Sequence, residues 1–368
     1  MHSPERTGVL TFHRCINYGS YWQARCLVEA LQARGHDAVL LDHQSRRVNF
    51  AEWRCALRPT LPTPVPREDR LLYRLKLQKF FRAFAALPLS RPFDLDHPET
   101  MEPFDHVVVG SDEVWNLRHP WYSHCGLFYG VGVRARRLTA YAASFGSYHC
   151  WEGLGEPWPS FLRRFEAISV RDENAWWHLR NSLGVEPEVV LDPCLLERPR
   201  PSGRRSGAPY VAVYGHNFSD HFARQARRWA GARGLPLVSI GYRNAWADRH
   251  WLTAGPLEFA RFMAGAEAVV TNFFHGCVFA LRNEKRFVCE VTPYRSIKVE
   301  NLMATVGGEQ HLISPATPPE QFETRLDQPL DPAMLQRIEA LRQSSGAYLD
   351  RIAGAAPKAP ARREMAAA

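Results

Sequence analysis

The chain has 368 residues, 45% of them hydrophobic and 23% charged, with a formal net charge of +8. That length suits about two ordinary domains, and the apolar content supplies real cores, which excludes a disordered or fibrous chain. The positive balance suits anionic substrates or an anionic membrane surface, but no dense Lys/Arg block with interleaved aromatics occurs, so nucleic acid is not expected as a partner.

Gly8 to Phe12 reads as a first strand, ending in the polar turn His13–Ser20, where Gly19 lets backbone approach a ligand and Asn17 adds a polar side chain. A helix follows with Trp22, Cys26, Leu27, Ala30 and Leu31 on one face, and then a strand over 38–42. This βαβ unit opens a doubly wound sheet, without the full GxGxxG pattern of a dinucleotide site. Residues 43–66, with prolines at 59, 62, 64 and 66, read as loop. Glu68 to Leu87 predicts a basic amphipathic helix; its Leu and Phe stripe is expected to pack on the parent domain, and an acidic membrane surface is the second reading.

His106–Gly110 is an apolar strand that delivers Ser111 and Asp112 where open α/β sheets bind ligands, although such a pair also serves as a helix cap. Leu138–Gly146 repeats the format and presents Ser144. The strand over 167–174 delivers Arg171, suited to a carboxylate or phosphate, or to a surface salt bridge. Residues 188–194 close a first domain over 1–197, and 198–209, rich in Pro, Gly, Ser and Arg, form a linker. A second α/β domain covers 210–352, ending in a helix over 331–352, with a disordered tail at 353–368.

Within that domain, Ala266–Val270 reads as a buried strand, followed by Thr271-Asn272-Phe273-Phe274-His275-Gly276 and a helix. Strand, turn and helix place His275 and Gly276 at a helix N-terminus, where free N–H groups attract anions and an imidazole can move protons. The plainer alternative is a histidine that merely caps the helix. A turn over 292–298 adds Arg295 and Lys298.

Eight cysteines stand scattered without a CxxC pair, which reads as reduced thiols and excludes a zinc ribbon or thioredoxin motif. No His/Asp ligand cluster suggests a metal. The N-terminus has no targeting segment and no apolar run approaches the ~18 residues of a membrane span, so the expected location is cytoplasmic, or peripheral at the inner face of a membrane.

The ordered set Asn17-x-Gly19, VGSDEVW (109–115), AYAASFG (140–146), ISVRDE (168–173), LDP (191–193) and TNFFHG (271–276) resembles the polysaccharide pyruvyl transferase family over roughly residues 8 to 305. The resemblance implies two Rossmann-like doubly wound α/β domains facing across a cleft, the GT-B arrangement. It implies transfer of the pyruvyl group of phosphoenolpyruvate to a sugar diol, forming a cyclic ketal and releasing phosphate, with no cofactor beyond that donor. The acceptor partner would be a saccharide, free or lipid-linked. By position, His275 matches the family's histidine and Arg171 its arginine, while Asp112 lies in its GSD motif.

Two residues depart from the pattern: Phe273 replaces the usual Ser, and Glu113 replaces the usual Gln, adding negative charge beside a pocket that should receive an anion. A nucleotide-sugar glycosyltransferase and a catalytically silent sugar-binding protein are the alternative readings, because a fold does not fix a function.

Overall fold

The computed structural model describes residues 5–59, 65–198, 207–292 and 296–354. Its first half carries a six-stranded sheet: β1 (Arg6–Leu10), β2 (Asp37–Leu40), β3 (Phe104–Val109), β4 (Ala135–Ala143), β5 (Ala167–Val170) and β6 (Glu188–Val189). Their spatial order is β2-β1-β3-β4-β5-β6, and every neighbouring pair is parallel. The second half repeats the plan with β7 (Val211–Tyr214), β8 (Leu237–Ile240), β9 (Arg249–Trp251), β10 (Ala268–Thr271), β11 (Arg286–Glu290) and β12 (Leu312–Ile313). These lie in the order β9-β8-β7-β10-β11-β12, again all parallel. Parallel strands covered on both faces need apolar residues throughout, which is why Val107-Val108-Val109 and Ala268-Val269-Val270 are unbroken runs and fully buried.

Each sheet reverses its strand order once, at β1/β3 and at β7/β10, and such reversals open a crevice at the carboxyl ends of the strands. The two crevices face each other, so the fold is α/β with two Rossmann-like halves across a cleft, as expected of a GT-B-like arrangement.

Helix α1 (Tyr18–Gln32) belongs to the first half but reaches the second. Tyr18 stacks on Phe259 at 4.4 Å and donates to the Ala254 carbonyl at 2.8 Å, and Trp22 Nε1 donates to the Pro256 carbonyl at 2.9 Å. One buried apolar cluster therefore contains Val9 and Val108 of the first sheet together with Ala212 and Val269 of the second.

Two readings of the sequence change. The stretch taken as loop contains helix α2 (Arg46–Leu57), capped by Ser45 through its side chain to the Val48 N–H. The prolines that suggested a loop all follow that helix, so they end it rather than prevent it. The basic helix is α3 (Arg70–Ala85), and its inner face does more than pack on its own half. Asp69, just before it, forms a two-pronged ion pair with Arg243, Lys79 pairs with Glu258, and buried Lys76 donates to the Gly241 carbonyl at 3.0 Å. Helix α3 thus straps the second half to the first.

The terminal helix, Pro332–Ile352, also crosses over. Tyr348 donates to the Ala140 carbonyl at 2.8 Å, Ser345 accepts from the Leu191 N–H at 2.9 Å, and Asp350 pairs with Arg34 at 2.7 Å. Its last turns therefore cover the first sheet, although its sequence position follows the second.

Candidate active site

A cleft of about 320 Å³ lies between the carboxyl ends of the two sheets. Asp112 enters it from the turn after β3, with φ at +76°, a left-handed conformation that costs a non-glycine residue on the order of 1–3 kcal/mol. Local hydrogen bonds hold it there: the Asp112 carbonyl accepts from the Ser144 N–H at 3.0 Å, and its side chain accepts from the Glu113 N–H at 2.9 Å. Gly110 precedes it at φ +114°, where a β-carbon would overlap the Tyr141 carbonyl oxygen. The carboxylate then accepts from Ser20 Oγ at 3.0 Å and from Arg171 Nη2 at 3.2 Å.

Arg171 leaves the end of β5 with its side chain 2% exposed. Its two terminal nitrogens reach different carboxylates, Asp112 at 3.2 Å and Asp192 at 3.3 Å, and its guanidinium lies 4.5 Å from the centre of the Phe274 ring. Burial would raise the pKa of both aspartates. The Arg171 charge, with His275 beside it, outweighs that cost and holds both carboxyls below their usual range. Arg171 is therefore a buried bridge between two acids, and its fork is already engaged.

His275 lies in the first turn of the helix Phe274–Arg282, directly after β10. Its Nε2 is buried, with Asp192 Oδ2 at 3.6 Å and no closer hydrogen-bond partner among the described residues. Gly19 packs against the opposite edge of the ring, where a β-carbon would overlap Nδ1. The ring is thus held between Gly19 on its Nδ1 edge and the Asp192 carboxylate on its Nε2 edge.

Glu113 and Lys298 form an ion pair at the cleft wall, and Glu113 also accepts from Asn116 at 2.6 Å. Burial works against the Glu113 charge, but Lys298 outweighs it and lowers the carboxyl's pKa. The acid in place of the family's Gln thus neutralises the lysine. Phe273 is packed edge-on against Tyr214, His216 and Tyr242, with ring centres at 4.9, 5.0 and 5.5 Å. The family's Ser position is here part of an aromatic wall.

Of the residues named from sequence, Asp112, Arg171, His275, Asn17 and Lys298 line the cleft. Asn17 spends its side-chain oxygen on the Gly19 and Ser20 N–H groups as the cap of α1. Four others are not among the residues that line the cleft. Ser111 is fully buried and donates to Gln23 at 2.6 Å; Ser144 is fully buried and accepts from the Gly146 N–H at 3.0 Å. Gly19 faces the imidazole, and Gly276 lies against Thr271, whose hydroxyl a β-carbon would overlap. Arg295 lies outside the described residues.

Sequence reading missed Asp192, whose LDP motif was seen but given no role. It also missed Glu52, which helix α2 carries into the cleft. Burial raises the Glu52 carboxyl to a pKa of about 7, although Cys15 and the Ile16 backbone bond to it. The signal lay in the Ser45 cap, which makes residues 46–57 a helix and turns Glu52 inward.

Among the described residues, Asp192, Cys194 and His275 bring ligand-type atoms within 4.8 Å of one another, a trio the scattered sequence spacing did not suggest. Arg171 already shares the same Asp192 oxygen as His275, so a metal ion there would face a guanidinium.

No curated protein matches the chain in sequence. Among solved structures, S. aureus MnaA in complex with UDP shares 12% identity at a TM-score of 0.47, over 97% of this chain and 99% of that one. The glycotransferase of kitacinnamycin shares 14% at 0.46 over 96% and 98%, and E. coli ADP-heptose LPS heptosyltransferase II shares 13% at 0.36 over 92% and 99%. The model of the polysaccharide pyruvyl transferase family matches residues 17–291, a span that contains Asp112, Arg171, Asp192 and His275, and the chain belongs to that transferase family.

Proposed function

We propose that the protein transfers the pyruvyl group of phosphoenolpyruvate to two hydroxyls of a saccharide, forming a cyclic ketal and releasing phosphate. A proton is delivered to the donor's methylene carbon, which becomes a methyl group, and the first hydroxyl attacks the adjacent carbon and loses its proton. The C–O bond to phosphate then breaks, and the second hydroxyl closes the ring. Of the two hydroxyl protons, one balances the new methyl group and the other leaves with phosphate. The reaction as written needs no cofactor.

The observation that carries this reading is His275, held between Gly19 and Asp192 at the meeting point of both sheets. An imidazole so held is suited to deliver and recover protons. Glu52, from the other half of the molecule and neutral for much of its time near pH 7, is suited to the second proton transfer. The free N–H groups of the helix Phe274–Arg282 supply positive potential for carboxylate or phosphate. Trp121 and Tyr242 bring aromatic rings to the cleft, a residue type suited to packing on a sugar.

The test is phosphate release from phosphoenolpyruvate across a panel of sugar diols, for the parent and for His275→Ala. Release that depends on acceptor, and that falls by ~10² or more in the variant, supports the reading. Turnover of a nucleotide sugar without such release would overturn it in favour of a glycosyltransferase. The Glu113–Lys298 pair, which neutralises a cation the donor would use, favours one second reading, a catalytically silent saccharide-binding protein. Saccharide binding without any phosphate release would select it.

A further inference from the structure

Helices α2 and α3 each bury one face and leave the other uncovered. Of the nine large hydrophobic side chains exposed among the described residues, five lie on these two helices: Phe50, Trp53, Leu71, Leu75 and Phe81. Phe50 is 68% exposed and Leu71 62%, and the rings of Trp53 and Phe81 meet at 5.3 Å, joining the two helices into one patch. Single exposed apolar residues need no explanation, but a cluster of this kind marks a surface that meets something.

The exposed charges of residues 46–85 are basic, with Glu68 the exception. Arg54, Arg70, Arg74 and Arg82 are exposed on the same helices, and none forms a salt bridge among the described residues. Within residues 46–85 the only exposed acid is Glu68, because Glu52 and Asp69 are buried. The fold does not need this face: Phe80 and Phe84 fill the inner side of α3, and Asp69 and Lys79 fix it to the second half.

We propose that this two-helix face docks on the surface of a bilayer containing anionic lipid. Aromatic and leucine side chains that enter the headgroup boundary, flanked by arginines that pair with lipid phosphates, have the make-up of an interfacial helix. Basic residues near such a surface are drawn to its negative potential, and arginine stems can lie along the apolar boundary while the guanidinium stays in water. A protein partner of acidic, apolar character is the competing occupant; the all-arginine fringe, spread over two helices, fits a continuous anionic plane better.

The placement bears on the reaction. Helix α2 turns Phe50 and Trp53 outward and Glu52 into the cleft, so docking sets the cleft wall about one helix diameter, roughly 10 Å, from the lipid surface. An acceptor saccharide carried on a lipid would reach the cleft from that side. This last step rests on the transfer reaction proposed above; the docking itself does not.

Flotation of the full chain with vesicles tests the docking. Binding is expected to vesicles holding about 30% phosphatidylglycerol, and to be lost in about 1 M salt and on phosphatidylcholine alone. The double variant Phe50→Asp, Leu71→Asp should reduce the bound fraction at least tenfold, and Arg70→Glu, Arg74→Glu should do so independently. Both should keep the parent's unfolding midpoint and its phosphate release on a soluble acceptor. Failure to bind anionic vesicles, or undiminished binding by both variants, overturns the proposal. So does a concentration-dependent dimer that the apolar variant abolishes, since that would assign the patch to a second copy. Vesicle binding in a protein that releases no phosphate would sustain the docking and sink the reaction alone.

Discussion

Gly19 and the His275 ring occupy adjoining space: the absent β-carbon of the first is where the imidazole Nδ1 of the second lies. Because Gly19 is in the first turn of α1, alanine there would ordinarily help the helix by up to ~1 kcal/mol. Gly19→Ala is therefore expected to leave stability near the parent's while displacing His275. Phosphate release should fall by ~10² or more, as for loss of the imidazole itself. An alanine variant with parental turnover would show that the ring has room to move.

Arg171 bridges Asp112 and Asp192 inside the protein, so its removal strands two buried carboxylates. Arg171→Met is expected to cost about 3–5 kcal/mol in urea unfolding, the usual scale for breaking a buried pair. Arg171→Lys, one point charge in place of a fork, should fall between. If stability is unchanged and only donor affinity drops, the arginine is a donor anchor after all.

Glu113→Gln removes the charge that occupies Lys298. With the lysine released, phosphoenolpyruvate should bind about tenfold more tightly, near 1.4 kcal/mol, and the gain should shrink with added salt. Calorimetry at two ionic strengths reads this directly, and equal dissociation constants for parent and variant would refute it.

Glu52 links stability to pH. Its folded pKa is raised from 4.5 to about 7, so between those values the folded state keeps a proton that the unfolded state releases. Its contribution is complete below about pH 4.5 and is lost as pH rises through 7. Glu52→Gln should remove that decline from the unfolding midpoint and be more stable than the parent above pH 7. If the carboxyl also moves a proton in the reaction, turnover should drop by ~10² as well; an unchanged rate would confine it to a structural role.

The sequence showed the strand–turn–helix units because buried parallel strands must be apolar throughout, and a run such as Val107-Val108-Val109 admits few other readings. It also showed which turns deliver chemistry, since Asp112, Arg171 and His275 each follow a strand's carboxyl end. What it could not show is the direction of a side chain within a turn. Ser111 and Ser144 sit in the right segments but point into hydrogen bonds behind the cleft. Helix α2 was hidden because four prolines downstream dominated the local composition. The partners of Arg171 were hidden because Asp112 and Asp192 are 59 and 21 residues from it in the chain. Long-range pairing of that kind depends on strand order, which no local pattern encodes.

The crossing of the terminal helix sets an order of events during synthesis. Tyr348 bonds to Ala140 across 208 residues, and Ser345 to Leu191 across 154. The bonds to Ala140 and Leu191 can therefore form only after residues 345–348 have been made, long after the strands of the first sheet. Contacts of such sequence separation raise the contact order of the fold, and high contact order slows folding. A fragment ending before the second sheet would yield a first half without its Tyr348 and Ser345 contacts.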